Sequence, residues 1–534
     1  MSHFRFASRA VAFCLGIVPA AIVIAAPVEP AWSISREESR TYRAEGLDKI
    51  QNIVVIYGEN RSFDNLYGDF PGANGLASAA RHHALPQLDR DGSVLPTLPQ
   101  IWGGLPGIAQ AATANLPNAP FSIDEGAPGA GFAVPPSVAT RDVVHRFYQN
   151  QMQIDGGAND RFAAWTDAGG LTMGHYDSSR SALPMWQVAR QYVLADNFFF
   201  GTFGGSFLNH QYLICACIPF QANPKDLSVS VVNADGVSLA SAPASPASAL
   251  AGPPAYVLDG RQTPDHYAVN TSQPAFQPSG NAPAAGGDAR YANADAASTL
   301  SVQTQTTIGD LLSAAHVSWA WYAGAFQDAL DNPSHIYTAP YQFQPHHQPF
   351  NYYANFAPGT EARAQHLKDG GIGGASFLAD IDAGRLPAVT FYKPQGTQNE
   401  HPGYANVLDG DAHIADVISH ILNGPQGAHV LIVVTYDENG GFWDHAAPPK
   451  ADRWGPGSRV PTIIVSPYAR KGHVDHTPYD TSSILRFIAK RFLGTRHHPV
   501  YPGDLLPGIA ERDAALHANG FRRPGDLTGA LKLD

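Results

Sequence analysis

Two clusters of polar residues stand directly behind apolar runs. Glu59, Asn60, Arg61, Ser62 and Asp64 follow the run 53–57, and Asp437, Glu438, Asn439, Asp444 and His445 follow the run 430–436. Adjacent carboxylates repel one another and cost free energy unless a cation or a proton compensates them. Glu59, Asn60, Asp437 and Glu438 therefore make an all-oxygen donor set for one divalent ion. Calcium, magnesium and manganese suit it, and zinc is a borderline choice. The other reading is two solvated turns, with Arg61 and Asp64 pairing to fix the first. Gly440 and Gly441 allow an unusual turn or a close backbone approach beside the acids.

A third constellation is Gly204-Gly205-Ser206, after a strand-like run and before an apolar, helical stretch. A serine where a helix begins is well presented, and the helix's positive end stabilises a nearby phosphate. The same serine could simply cap the helix. His145, His346, His347 and His401 form a fourth set, in polar or aromatic contexts. With 22 histidines in the chain, any single one is also at home as a structural or surface residue; His82, His83, His497 and His498 are read as surface.

These side chains need a scaffold that brings distant segments together. Short apolar runs at 53–57, 192–194, 317–322, 388–392, 430–436 and 462–465 read as buried strands. Helical spacing lies between them, clearest at 480–492, where Asp480 or Thr481 can cap. Strands alternating with helices imply an α/β fold with a largely parallel central sheet, and ligands collect at the carboxyl ends of such strands. Residues 224–299 are rich in Ser, Ala, Pro and Gly and read as a loop-rich insertion. The catalytic domain is expected at 45–498 and a C-terminal tail at 499–534.

A net charge of −12 argues against a nucleic-acid partner. Arg5 and Arg9 precede an uncharged, mostly apolar run to Ala26, which reads as a signal peptide over 1–26 and implies export to the periplasm or beyond. No later segment reads as membrane-spanning. The three cysteines exclude a dense disulfide framework. Cys215 and Cys217 read as packed thiols or a local disulfide rather than as metal ligands.

Taken together, the blocks 53–68, 145–162, 192–213, 345–353, 392–410 and 433–492 resemble the bacterial phosphoesterase family of phosphatidylcholine-type phospholipases C and exported acid phosphatases. The resemblance implies an alkaline-phosphatase-like α/β sandwich, one catalytic metal and a hydroxyl nucleophile. It assigns the metal to Glu59, Asn60, Asp437 and Glu438, the nucleophile to Ser206, and phosphate contacts to Asn60, His145, His347 and His401, with His346 adjacent. Asp444 and His445 match the family block and are expected behind the metal ligands. The phospholipase branch carries threonine in a Gly-Pro-Thr type segment. Ser206, the His346-His347 pair and the Asn399–His401 block look more like the acid phosphatase branch. Small phosphate esters are the implied substrates, and phospholipid is the alternative, with Phe63, Phe203, Phe207 and Trp443 available for an apolar entrance. A secreted metal-binding protein without catalysis is the non-enzymatic alternative. Several imidazolium groups below about pH 6.5 would supply the charge of a second metal and give an acid optimum.

Overall fold

The computed structural model describes residues 46–81, 86–126, 131–224, 228–494 and 500–533. The expected signal segment, Cys14, His82, His83, His497 and His498 lie outside them. The core is an eight-stranded sheet. Its strands in chain order are β1 (Asn52–Gly58), β2 (Val193–Ala195), β3 (Trp319–Ala323), β4 (Leu367–Asp369), β5 (Val389–Lys393), β6 (Val430–Tyr436), β7 (Thr462–Val465) and β8 (His473–Asp475). Their spatial order is β8-β2-β7-β6-β1-β5-β3-β4. All neighbours are parallel except β7, which runs antiparallel to β2 and β6.

β1 and β6 are buried along their whole length. Their unbroken apolar sequence reflects a sheet covered on both faces, where alternation with polar residues would place charge in the core. β1 lies between β5 and β6, with Gly58 opposite Tyr436 and Ile56 opposite Tyr392. This register places the residues after Gly58, those after Tyr436, and Lys393 at one edge of the sheet.

Six helices carry or brace the polar clusters and the sheet: α1 (Phe63–Tyr67), α2 (Phe147–Ile154), α3 (Ser206–Cys215), α4 (Val407–Asn423), α5 (Ser482–Ile488) and α6 (Pro507–Ala518). Asn406 caps α4 by accepting from the Asp409 amide, and Val407, Ile414, Val417, Ile418 and Ile421 form its buried stripe. Asp480 caps α5, accepting from the Ser482 amide at 2.8 Å. The helix expected over 480–492 changes to a wider π turn at Ala489–Leu493.

Residues 229–299 hold no helix or paired strand and are stitched by isolated bridges such as Val229–Gln262 and Gln273–Thr299. Residues 500–533, read from sequence as a tail, are folded onto the core. Ile509, Leu516 and Leu531 are buried, and Arg512 of α6 pairs with Asp452 at 2.6 Å. The amphipathic spacing of α6 is short and broken by charge, and Arg512 is hidden by its ion pair, so the packing left little trace in the pattern. Cys215 and Cys217 form a disulfide at the end of α3. No helix among the described residues is long and apolar enough to cross a membrane.

Candidate active site

Ser206 is the first residue of α3, and Gly205 occupies the cap position. The loop before it is drawn against the His145 segment. A β-carbon on Gly204, whose φ is +89°, would lie 2.6 Å from the Phe147 backbone. Asn209, one turn into the helix, reaches back to hold this loop by accepting from the Thr202 amide at 2.9 Å. Ser206 is thus not a cap. Its Oγ points across the sheet edge and donates to Asn60 Oδ1 at 3.2 Å.

Asn60 follows β1 in a left-handed conformation, with φ +65°. Its amide donates to Asp437 Oδ1 at 3.1 Å, which ties the turn after β1 to the turn after β6. The second turn fits because Gly440, φ +61°, lies where a β-carbon would be 2.2 Å from the Asn60 carbonyl oxygen. Asn60 Nδ2 lies 3.4 Å from His145 Nε2, and His145 Nε2 is 3.8 Å from Glu438 Oε1. Ser206, Asn60, Asp437, Glu438 and His145 form one continuous group.

Asp437 and Glu438 are wholly buried, yet Asp437 Oδ2 and Glu438 Oε1 have no hydrogen-bond partner. Burial raises Asp437 to about 6 and pushes Glu438 well above the usual carboxyl range. Two unpartnered buried acceptors beside a hydroxyl are what a hard cation would satisfy. The residues therefore fit a divalent ion held by Asp437 Oδ2, Glu438 Oε1 and Asn60 Oδ1.

Glu59 behaves differently. Its Oε1 meets His347 Nε2 at 2.6 Å and Lys393 Nζ at 3.1 Å; its Oε2 accepts from Asn399 Nδ2 at 2.5 Å and from the Tyr404 hydroxyl at 2.9 Å. A carboxylate offers about four lone-pair sites, and donors stand at all of them. Burial opposes its charge, but His347 and Lys393 outweigh burial and hold Glu59 well below the ordinary range. Glu59 stands near Asp437, in a group with His210, and reaches a cation only by giving up one of these donors.

The histidines line the other side. His346 and His347 pack edge to face at 5.0 Å, His210 stacks on His347 at 5.5 Å, and His145 and His401 meet edge to face at 5.5 Å. Burial holds His401, His346 and His210 below the ordinary histidine value and lowers His347 to about 4. Of these five, His145 alone is raised, to about 9: burial pushes it down, and Glu438 and Asp142 outweigh that. The expectation of several imidazolium groups is therefore corrected. In this arrangement the positive charge comes from His145 and from Lys393.

Lys393, His210, Asn399 and Tyr404 were not singled out from sequence. Lys393 carried a signal, a lysine closing a buried apolar strand. Arg61 does not pair with Asp64: its guanidinium donates to the Glu400 carbonyl oxygen at 2.7 Å. Asp64 instead meets His445 at 2.6 Å and Arg459 at 3.2 Å, and Arg459 also binds Asp444 at 2.8 Å. Asp444 and His445 thus anchor the two turns from behind.

A cavity of about 400 Å³ opens onto Ser206, with Asp142, His145, Arg146, Asn270, His346 and His401 among its walls. Asn270 comes from the insertion, latched where its Oδ1 accepts from the Phe147 amide at 3.0 Å and where Arg146 Nη2 donates to the Gly260 carbonyl at 2.9 Å. Phe63, Phe207 and Trp443 are buried in the core. Of the four aromatics available for an apolar entrance, only Phe207 reaches the cavity wall.

A hydroxyl at a helix start, paired buried acids and a histidine-lined cavity fit a hydrolase of phosphoric ester bonds, and the family match below shows that class. The chain belongs to the phosphoesterase family, whose profile matches residues 50–493. It is 24% identical over 482 residues to phospholipase C B of Mycobacterium tuberculosis, covering 84% of this chain and 74% of that one. It is 29% identical over 218 residues to the non-hemolytic phospholipase C of Burkholderia pseudomallei, covering 35% of this chain and 29% of that one. Among solved structures, an alkaline phosphatase superfamily protein from Vibrio parahaemolyticus aligns over 67% of each chain at 8% identity with a TM-score of 0.29.

Proposed function

We propose that the chain is a metal-dependent phosphatase that hydrolyses phosphate monoesters through a phosphoserine on Ser206, in the acid phosphatase branch of its family. The observation that carries this reading is the pair of buried oxygens without hydrogen bonds, Asp437 Oδ2 and Glu438 Oε1, beside a serine hydroxyl that opens on a histidine-lined cavity. A bound divalent cation supplies positive charge that acidifies the nucleophile and neutralises phosphate. Asn60 Oδ1 orients the Ser206 hydroxyl toward the cavity. Ser206 Oγ gives its proton up to solvent in the cavity and attacks phosphorus in line, and the P–O bond to the leaving alcohol breaks. Asn60 Nδ2, the amides at the start of α3 and His145 hold the non-bridging oxygens where charge spreads. His401 protonates the departing oxygen. Because burial lowers His401, its protonated form is populated on the acid side of about pH 6.5, which favours acid turnover. Water then cleaves the phosphoserine.

Phospholipase C is the second reading. Its support is the name of the relatives, phospholipase C, at 24% and 29% identity. The cavity lining is mixed: Asp142, Arg146, Asp167 and Asn270 stand beside Val143, Val144, Phe207 and Val269, so it serves either substrate. Export is part of the proposal, supported by the leader-like residues 1–26 and by the Cys215–Cys217 disulfide, a bond typical of oxidising compartments.

Hydrolysis of p-nitrophenyl phosphate and p-nitrophenyl phosphorylcholine, from about pH 4 to 9 with and without EDTA, tests the reading. Monoester turnover that peaks below about pH 6.5 and disappears with chelator is expected. Preference for the choline diester moves the protein to the phospholipase reading.

A further inference from the structure

Behind the histidine wall lies a pair of buried acids that the proposed reaction does not use. Glu400 precedes His401 and has a left-handed backbone, φ +76°. A residue with a β-carbon keeps that conformation only where its surroundings impose it. Here Arg61 grips the carbonyl oxygen, with Nε and Nη2 donating at 3.1 and 2.7 Å. The side chain turns into the core. The Tyr436 hydroxyl donates to Oε1 at 2.8 Å. Gly410 of α4 lies flush on it, where a β-carbon would be 2.5 Å from Glu400 Cγ. The next helix residue is Asp411, whose Oδ1 accepts from the Met185 amide at 2.8 Å.

Glu400 and Asp411 are both fully buried, and Glu400 Oε2 and Asp411 Oδ2 have no hydrogen-bond partner. The groups that face them are Arg61 from the turn after β1, Tyr67 from α1 and Tyr436 from β6. That makes one guanidinium, two neutral phenols and two carboxyl groups. One buried cation balances one carboxylate, and a second ionisation would leave an uncompensated charge in the core.

We propose that the Glu400–Asp411 pair keeps one proton at neutral pH, and that neutral Glu400 is the positioning residue for the 399–401 turn. That turn aims His401 at the Ser206 cavity and Asn399 at Glu59. The electrostatics agree: burial, then the Asp411 charge, raises Glu400 well above the ordinary range, and burial raises Asp411 to about 7. The role given to His401 rests on the phosphatase reading; the proton does not.

Infrared spectra of the full-length protein at about pH 8 test the proton directly. The wild-type minus Glu400→Gln difference should contain the carbonyl band of a protonated carboxylic acid, and its absence overturns the proposal. Above about pH 5 the wild-type unfolding constant should also rise about tenfold more per pH unit than that of Glu400→Gln, because the native acid holds a proton the unfolded one releases. Positioning is tested by rescue. Glu400→Ala should lower kcat/KM on p-nitrophenyl phosphate by about tenfold or more, with Gln returning it to within about threefold. The His401 ring resonance should move in the Ala variant and return in the Gln variant. Equal effects of Ala and Gln on both readouts overturn the positioning role, and a wild type inactive on phosphate esters refutes the phosphatase reading while the band and resonance still decide the rest.

Discussion

Segments 59–64 and 437–445 feed two buried acidic clusters. Around Arg459 every acid has a partner. The guanidinium takes Asp444 at 2.8 Å and Asp64 at 3.2 Å, and His445 takes the other Asp64 oxygen at 2.6 Å. Beside Ser206, two carboxylates from the same turn keep one oxygen each without a hydrogen bond, the histidine nitrogens of His210 and His145 standing 3.8 Å away. The first cluster is complete in the polypeptide and locks the turns together. The second is complete only with something the chain does not supply. Buried charge left unpaired is costly, and its presence at the edge of the sheet marks where the chemistry is.

The largest expected effect falls on the open cluster. Ser206→Ala should lower phosphate-ester hydrolysis by about a thousandfold or more and abolish trapping of phosphoprotein from labelled substrate. Hydrolysis at the wild-type rate would remove Ser206 from the mechanism. The fold should hardly notice, since the contacts of Oγ are with Asn60 and Asp437 of the site itself.

Stability should separate the clusters by size. Arg459→Met leaves Asp64 and Asp444 buried without their cation and should cost about 3–5 kcal/mol in urea unfolding. Glu438→Gln should leave the metal-free protein within about 1 kcal/mol of wild type, because burial already favours the neutral acid, while abolishing the stabilisation that added divalent cation gives wild type. If Glu438→Gln destabilises the metal-free protein as Arg459→Met does, the two clusters are alike and the cation site is misassigned.

The same contrast explains what sequence could reveal. The acids and Ser206 stood out because they follow a recognisable apolar run or glycine turn; His145, His346, His347 and His401 were picked out by the family resemblance alone. The strands were legible because both faces of the sheet are covered. What partners each acid was not legible, because pairing depends on register. β5 beside β1 brings Lys393 to Glu59, and β7 beside β6 brings Arg459 to Asp64 and Asp444, from more than 300 residues away for the first contact. Local spacing suggested Arg61 with Asp64, whereas Arg61 reaches the Glu400 carbonyl across the sheet edge. Histidine titration was misjudged for the same reason: burial, absent from a sequence, lowers His346, His347 and His401.

The smallest effect, and the finest test of the contrast, is the dependence of metal-free stability on pH. For Asp64, burial is outweighed by His445 and Arg459, so its folded value lies below the ordinary one. Its contribution is present above about pH 3.9 and is lost as pH falls through the folded value. Asp437 is the reverse. Its folded value is raised to about 6, so the native state holds a proton that the unfolded chain has released. That contribution is present below about pH 3.9 and is lost as pH rises toward 6. In EDTA, the wild-type unfolding constant should therefore climb by up to about tenfold per pH unit more than that of Asp437→Asn across this window, and then run parallel to it. Saturating divalent cation should erase the difference in slope by compensating the ionised carboxylate. Parallel curves across the whole window in EDTA would mean that Asp437 is already paired, and the open cluster would be open in appearance only.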